Sequence, residues 1–170
     1  MYKFNYKLGT ENLSEMNCYL AIHDLNIQKK MISLMISIAI MALIVLFFIF
    51  NLSIPTLIGM VITAILELLI FPKIYWKIVF SRIEKTLSFR NIEFKDTTIE
   101  FNDKVSIDDQ INKIAIEYSN IINMDFTKHN CLIFYTYDDK SNTLIIPNDV
   151  IGEKLEEFCL FIQKETSYVK

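Results

Sequence analysis

The chain has 170 residues, 52% of them apolar and 22% charged, and its formal net charge is −3. That length allows one modest domain with accessory segments, and the acidic balance argues against nucleic acid as a partner. The three scattered glycines, Gly9, Gly59 and Gly152, exclude a Gly-rich phosphate loop.

The N-terminal YKFNYK alternates aromatic and polar residues, placing Tyr2, Phe4 and Tyr6 on one face of a short strand that needs a sheet to join. Thr10 is the expected N-cap of a helix running to residue 30, with Leu13, Met16, Leu20 and Ile27 at near-helical spacing. Residues 31–50, MISLMISIAIMALIVLFFIF, then carry no charge. As a helix this run rises ~30 Å, the hydrocarbon thickness of a bilayer, and reads as a transmembrane span. NLSIP follows as a tight tip, and residues 54–71 supply a second span broken only by Glu67. A cleaved signal peptide is not expected, because some thirty mixed residues precede the first apolar run and no small-residue cleavage site follows it.

Lys29 and Lys30 stand before the first span, Lys73, Lys77, Arg82, Lys85 and Arg90 follow the second, and the tip carries no basic residue. The positive-inside rule then puts both termini in the cytoplasm, with Tyr75 and Trp76 as aromatic anchors at the same interface. Pro72 is placed to bend the chain at the membrane surface, and residues 72–88 read as a basic, helical juxtamembrane stalk.

From residue 89 the pattern changes to short β-like runs: FRNIEF, TTIEFN, KVSI, KIAIEY, IINMDFTK, CLIFYTY and TLIIP, with DDKSN as a turn. Within them Ile114, Ile116 and Tyr118 are expected on one face, as are Ile122, Met124 and Phe126. Ile151, Leu155, Phe158 and Ile162 then recur at steps of four, three and four, defining an amphipathic helix over 149–165 capped by Asn148 or Asp149 after Pro147. The expected architecture is α+β: a two-helix membrane hairpin with cytosolic helical extensions, and a small antiparallel β domain closed by a C-terminal helix, a layout similar to pleckstrin-homology (PH) domains.

Glu67 is the one carboxylate in the apolar runs. At mid-bilayer it would cost roughly 2.5 to 3.5 kcal/mol, and less one turn from the helix end. Counting back by fours gives Thr63, Gly59 and Pro55, a stripe of small and polar residues, while Ser33 and Ser37 form a stripe on the first span at about the depth of Glu67. The expected arrangement has Gly59 and Thr63 allowing close helix approach and Glu67 bonded to a serine hydroxyl, Lys30 or Lys73. The competing reading makes Glu67 a protonatable group in an oligomeric conduit.

No catalytic, cofactor-binding or metal-ligating set stands out. Cys18, Cys131 and Cys159 lack metal-ligand spacing and read as small hydrophobes, His23 and His129 are isolated, and the acidic pairs Asp108–Asp109, Asp138–Asp139 and Glu156–Glu157 fit turns or a solvated helix face. Residues 73–95 hold six basic and two acidic side chains, net +4, whereas 96–170 hold seven and fourteen, net −7. The stalk therefore favours anionic lipid and the β domain does not.

FNYKLGTENLSEMNCY, the paired apolar runs, IEYSNIINM, LIFYT and LIIPNDVIGEKLEEF together resemble the YcxB-like membrane proteins of bacteria over nearly the whole chain. The resemblance implies architecture alone, an inner-membrane hairpin with a C-terminal PH-like domain, because the family has no established activity. Relatives carry basic residues after the proline where this chain has Asn148 and Asp149, so a role resting on that pair does not transfer. The expected function is a membrane-anchored, non-catalytic module that binds a protein partner through its cytosolic domain, with no cofactor and oligomeric state left open. Alternatives are a self-immunity protein and a proton or solute conduit through Glu67.

Overall fold

The computed structural model describes residues 1–49, 54–90 and 92–166; most of the expected tip, residues 51–53, lies outside them. The chain forms two units, one from Met1–Asn17 and the segment from Leu87 onward, the other from Cys18–Thr86.

The helical unit takes in the end of α1 (Thr10–His23), all of α2 (Leu25–Ile49) and most of α3 (Ile54–Phe89). The single helix expected over 10–30 is divided at Asp24, which is left out of both α1 and α2. The Asp24 carboxylate accepts the Asn26 N–H at 2.7 Å and its carbonyl accepts Gln28 N–H at 3.0 Å, so Asp24 closes the first turn of α2 as an N-cap does. Gln28 Nε2 reaches back to the Ile22 carbonyl at 2.6 Å and satisfies an otherwise orphaned C-terminal acceptor of α1. Leu25–Val45 is the one stretch among the described residues long and apolar enough to cross a membrane, and none of it is buried within the molecule. It begins six residues before the expected span and takes in Lys29 and Lys30.

In the β unit the helix starts differently from expectation too. Thr10 is not the cap: Gly9 precedes the helix, the Asn12 side chain accepts the Gly9 N–H at 2.9 Å, and Leu13 N–H bonds the Gly9 carbonyl. The strands are β1 (Tyr2–Lys7), β2 (Asp96–Phe101), β3 (Val105–Asp108), β4 (Lys113–Ile116), β5 (Ile121–Phe126), β6 (Asn130–Tyr137) and β7 (Lys140–Pro147). They form two antiparallel sheets, β1-β2-β3-β4 and β5-β6-β7. The described residues of FRNIEF are in no strand: α3 continues to Phe89, and the place beside β2 is filled by β1, paired from Tyr2↔Phe101 to Lys7↔Asp96.

The period-two pattern selects the buried faces. Phe4 and Tyr6 on β1, Ile99 and Phe101 on β2, and Val105 and Ile107 on β3 point into one core with Cys131, Ile133, Leu144 and Ile146 of the second sheet. A bulge between Ile121 and Asn123 shifts the β5 register, so Ile121 and Met124 are buried while Ile122, expected inward, is 51% exposed. The β6–β7 hairpin turns on Asp138 (φ 50°) and Asp139 (φ 60°), the two left-handed residues of a tight turn, and Lys140, Ser141 and Asn142 of the expected DDKSN turn belong to β7.

The helix expected over 149–165 is broken in two, α4 (Asn148–Ile151) and α5 (Leu155–Thr166), with a 3-10 turn at Gly152–Lys154. Gly152 stands at φ 64°, ψ −142°, a conformation that only glycine adopts without strain, and this interrupts the helix. Neither Asn148 nor Asp149 acts as a side-chain cap. Phe158 of α5 is fully buried between Tyr2, Phe4 and Phe101, at ring distances of 5.3, 5.3 and 5.0 Å. The helix thus closes the core by aromatic packing onto the first sheet.

Candidate functional site

The expected polar stripe of the helical unit has a different phase. Thr63 Oγ1 donates to the Gly59 carbonyl and Ser37 Oγ to the Ser33 carbonyl, both at 2.9 Å and each within its own helix. Ser33, Ser37, Gly59 and Thr63 are all exposed, and a methyl group added at Gly59 would meet nothing within 4 Å. Gly59 therefore does not mark a close helix contact. Glu67 instead lines a cavity of about 360 Å³ with Ala64 and Leu68 on its own helix and Ile32, Met35, Ile36 and Ala39 of α2. Its neighbours on α2 in this cavity are apolar, where Ser33 and Ser37 were expected. Its Oε1 is buried with no hydrogen-bond partner among the described residues, and no ion pair joins it to Lys30 or Lys73 among them. Ala39 and Ala64 are the small residues of this contact, one turn from Met35 and Leu68. Alanines in an apolar run carry no polar flag, so a search for polar stripes passes over them.

The expected anchors lie farther along the same helix. Lys29, Lys30, Lys73, Lys77 and Arg82 are exposed, and Tyr75 and Trp76 are half-buried. The Tyr75 hydroxyl donates to the Ile27 carbonyl at 3.4 Å, a long bond that ties α3 to the first turn of α2. Phe71, Tyr75, Trp76 and Phe80 form a run of ring contacts with centroids 5.6 to 6.2 Å apart. Beside them Lys73, Trp76, Lys77, Phe80 and Ser81, with Ile22 of α1 opposite and Glu84 at one end, line an open groove of about 740 Å³.

In the β unit His129 is not isolated. Its N–H reaches both Glu15 carboxylate oxygens at 3.3 and 3.2 Å, and its Nδ1 lies 3.6 Å from Oε1. Asn130, the buried polar side chain of the core, donates its amide to the same carboxylate and accepts Asn12 Nδ2 at 2.7 Å. Asn148 extends the cluster: its N–H bonds the His129 carbonyl at 2.8 Å and its amide bonds the Thr127 and Lys128 carbonyls at 3.3 Å each. These groups bond backbone and each other, as a structural network does, except Asn148 Oδ1, which is buried with no hydrogen-bond partner among the described residues. Sequence reasoning missed it because Glu15 and His129 are 114 residues apart.

Chemistry-bearing side chains elsewhere are quiet. Burial pushes the Cys131 thiol far above its ordinary range, away from the reactive thiolate. Asp109 is held below the usual carboxylate range by the N–H groups of Asn112 and Ile111, so it serves the β3–β4 turn. Among the described residues no group of three His, Cys, Asp or Glu side chains is placed to hold a metal ion.

β1 and β4 end the first sheet, and β5 and β7 the second. Among the described residues β1 pairs in a sheet with β2 alone and is an edge strand. Met1, Tyr2, Lys3 and Phe4 of this edge face Val150, Ile151, Glu153 and Lys154 across a groove of about 480 Å³. Such an edge with an adjoining groove offers main-chain hydrogen bonds to an extended segment and pockets to its alternate side chains. Compared with models of known protein families, with curated proteins and with solved structures, the chain finds no match.

Proposed function

We propose that this chain is a membrane-anchored, non-catalytic protein-interaction module whose β unit, PH-like in its four-plus-three strands and closing helix, binds an extended segment of a protein partner on the cytosolic side of a bacterial inner membrane. The observation that carries this reading is the open β1 edge beside the α4 groove. The net charge of −7 over 96–170 favours a partner segment with basic residues. The membrane anchor is supported by Leu25–Val45 and by the first half of α3, where Ile58, Val61, Ile62, Ile65, Leu66 and Leu69, spaced by threes and fours on one face of the helix, are each about half exposed or more. A two-span hairpin with both termini cytoplasmic, as in the YcxB-like proteins, accounts for both segments and for the basic residues that flank them.

The test is site-specific photocrosslinking of the full chain in native membranes. A photoreactive residue at Lys3, on the β1 edge, is expected to give one discrete adduct, and the same residue at Lys104, whose side chain pairs with Glu117, none. Lys3 holds only a half-exposed ion pair with Glu100, so its replacement leaves the fold intact. Equal labelling at both positions, or none at Lys3, overturns the reading.

A second reading, an oligomeric conduit, is favoured by the unpartnered Glu67 oxygen in its cavity. Two helices per chain require assembly for this. It predicts a proton or solute flux into proteoliposomes that Glu67→Gln abolishes; flux retained in the variant eliminates it.

A further inference from the structure

The groove on α3 joins three properties on one face. Lys73 and Lys77 are one helical turn apart, both exposed, and neither is in an ion pair among the described residues. Trp76, between them in sequence, and Phe80, one turn beyond Trp76 with its ring 5.8 Å away, line the same groove as apolar surface, and Ile22 of α1 lines it too. Lys73 is the first basic residue after the apolar run, and the helix surface just before the groove is open and apolar, with Leu68, Leu69 and Ile70 at 64, 62 and 48% exposure. A groove with two unpaired ammonium groups and an aromatic lining, continuous with an apolar helix surface, matches a molecule that is anionic at one end and hydrocarbon at the other.

We infer that this groove is a binding site for one anionic phospholipid of the cytoplasmic leaflet, with Lys73 and Lys77 on the phosphate, Trp76 between them at the glycerol level, and the acyl chains on the open apolar surface of Leu69 and Ile70 toward the bilayer. Ser81 adds a hydroxyl donor at the headgroup end. Glu84 lies seven residues, about 10 Å of helix rise, beyond Lys77 and repels an anion placed deeper along the stalk, which holds the headgroup at the level of the lysines. The inference rests on the membrane reading of α3 given above, and it goes beyond the diffuse attraction of a basic stalk to anionic lipid. It places the selective contacts in two lysines out of the six basic side chains between residues 73 and 95.

Trp76 is the only tryptophan in the chain and sits in the groove, so its fluorescence reports on the bound lipid. The full chain is reconstituted in phosphatidylcholine vesicles holding a minor fraction of phosphatidylglycerol, with brominated acyl chains on one lipid or the other at equal mole fraction. The expected result is stronger quenching by the brominated phosphatidylglycerol, a preference on the order of five- to thirtyfold for two lysines. The double variant Lys73→Gln/Lys77→Gln is expected to lose that preference. Arg82→Gln/Lys85→Gln, which removes the same charge from the stalk, is expected to keep it. Equal quenching by the two lipids, or an equal loss of preference in both double variants, overturns the site while leaving α3 in the membrane. Absence of quenching by either lipid overturns the membrane reading and the site together.

Discussion

At the scale of single residues, the side chains that decide most are polar groups among apolar ones. Asn130 is fully buried and engaged at both ends of its amide, by Glu15 and by Asn12. Asn130→Ala is therefore expected to cost about 1 to 3 kcal/mol, because it strands two polar partners instead of removing one bond. Chemical unfolding of the detergent-solubilised chain, followed by near-ultraviolet circular dichroism, measures this; an unchanged midpoint would show that water replaces the bonds at no cost. Glu67 is the opposite case. Its buried Oε1 lacks a partner and its cavity neighbours are apolar, so Glu67→Leu is expected to stabilise the chain by about 1 to 3 kcal/mol. A lower melting temperature for the variant would restore Glu67 as the polar fastener anticipated from its spacing. That spacing was a poor guide to direction: in a run apolar on all sides, the sequence holds no period that marks which face meets the neighbouring helix.

At the scale of elements, the second sheet and α5 show how far local pattern reaches. The i, i+3, i+4 pattern through Ile151, Leu155, Phe158 and Ile162 identifies the face that packs, and Phe158 and Ile162 are indeed buried. It does not show the break at Gly152, because a glycine in a helical pattern is legible as a tolerated residue until its φ of 64° is seen. Register is likewise hidden in IINMDF, where one bulged residue exchanges the inner and outer faces. Buried phenols add a pH dependence to these elements. Tyr118, whose hydroxyl donates to the Asn102 carbonyl at 2.9 Å, is pushed up from 10.0 to about 12 by burial and by the charges of Glu165 and Asp103. Burial raises Tyr6 and Tyr135 as well. Below the ordinary phenol value both folded and unfolded chains keep these groups protonated, and their contribution is fully present. As pH rises from 10.0 toward 12 the unfolded chain ionises first, so stability falls across that window. Phenolate absorbance and unfolding free energy measured together are expected to show this alkaline loss, with a shallower slope for Tyr118→Phe. Equal slopes would mean that Tyr118 ionises freely in the folded chain.

At the scale of the whole molecule, the β unit is assembled from two pieces of chain with the helical unit inserted between them. Residues 1–17 supply β1, whose Phe4 and Tyr6 are core residues, and residues from Leu87 onward supply the rest. A fragment of residues 87–170 is expected to remain without fixed tertiary packing, since it leaves one side of Phe101 and Phe158 bare, and residues 1–17 joined to it by a flexible linker are expected to restore dispersed amide resonances. A fragment that folds without β1 would overturn this account. The consequence for function is direct, because the strand edge proposed for the partner exists only when β1 is in place. Element types were legible from the chain: continuous apolar runs for α2 and the first half of α3, alternation for the strands, a 3.6-residue period for α5, each being a property of neighbours in sequence. The tertiary structure alone decided that YKFNYK pairs with DTTIEF some ninety residues away, that Glu67 turns toward the 32–39 face of α2, and that Glu15 and Asn12 meet Asn130. Those outcomes depend on which distant surface buries the most apolar area while satisfying each polar group, a competition among long-range partners that local periodicity does not record.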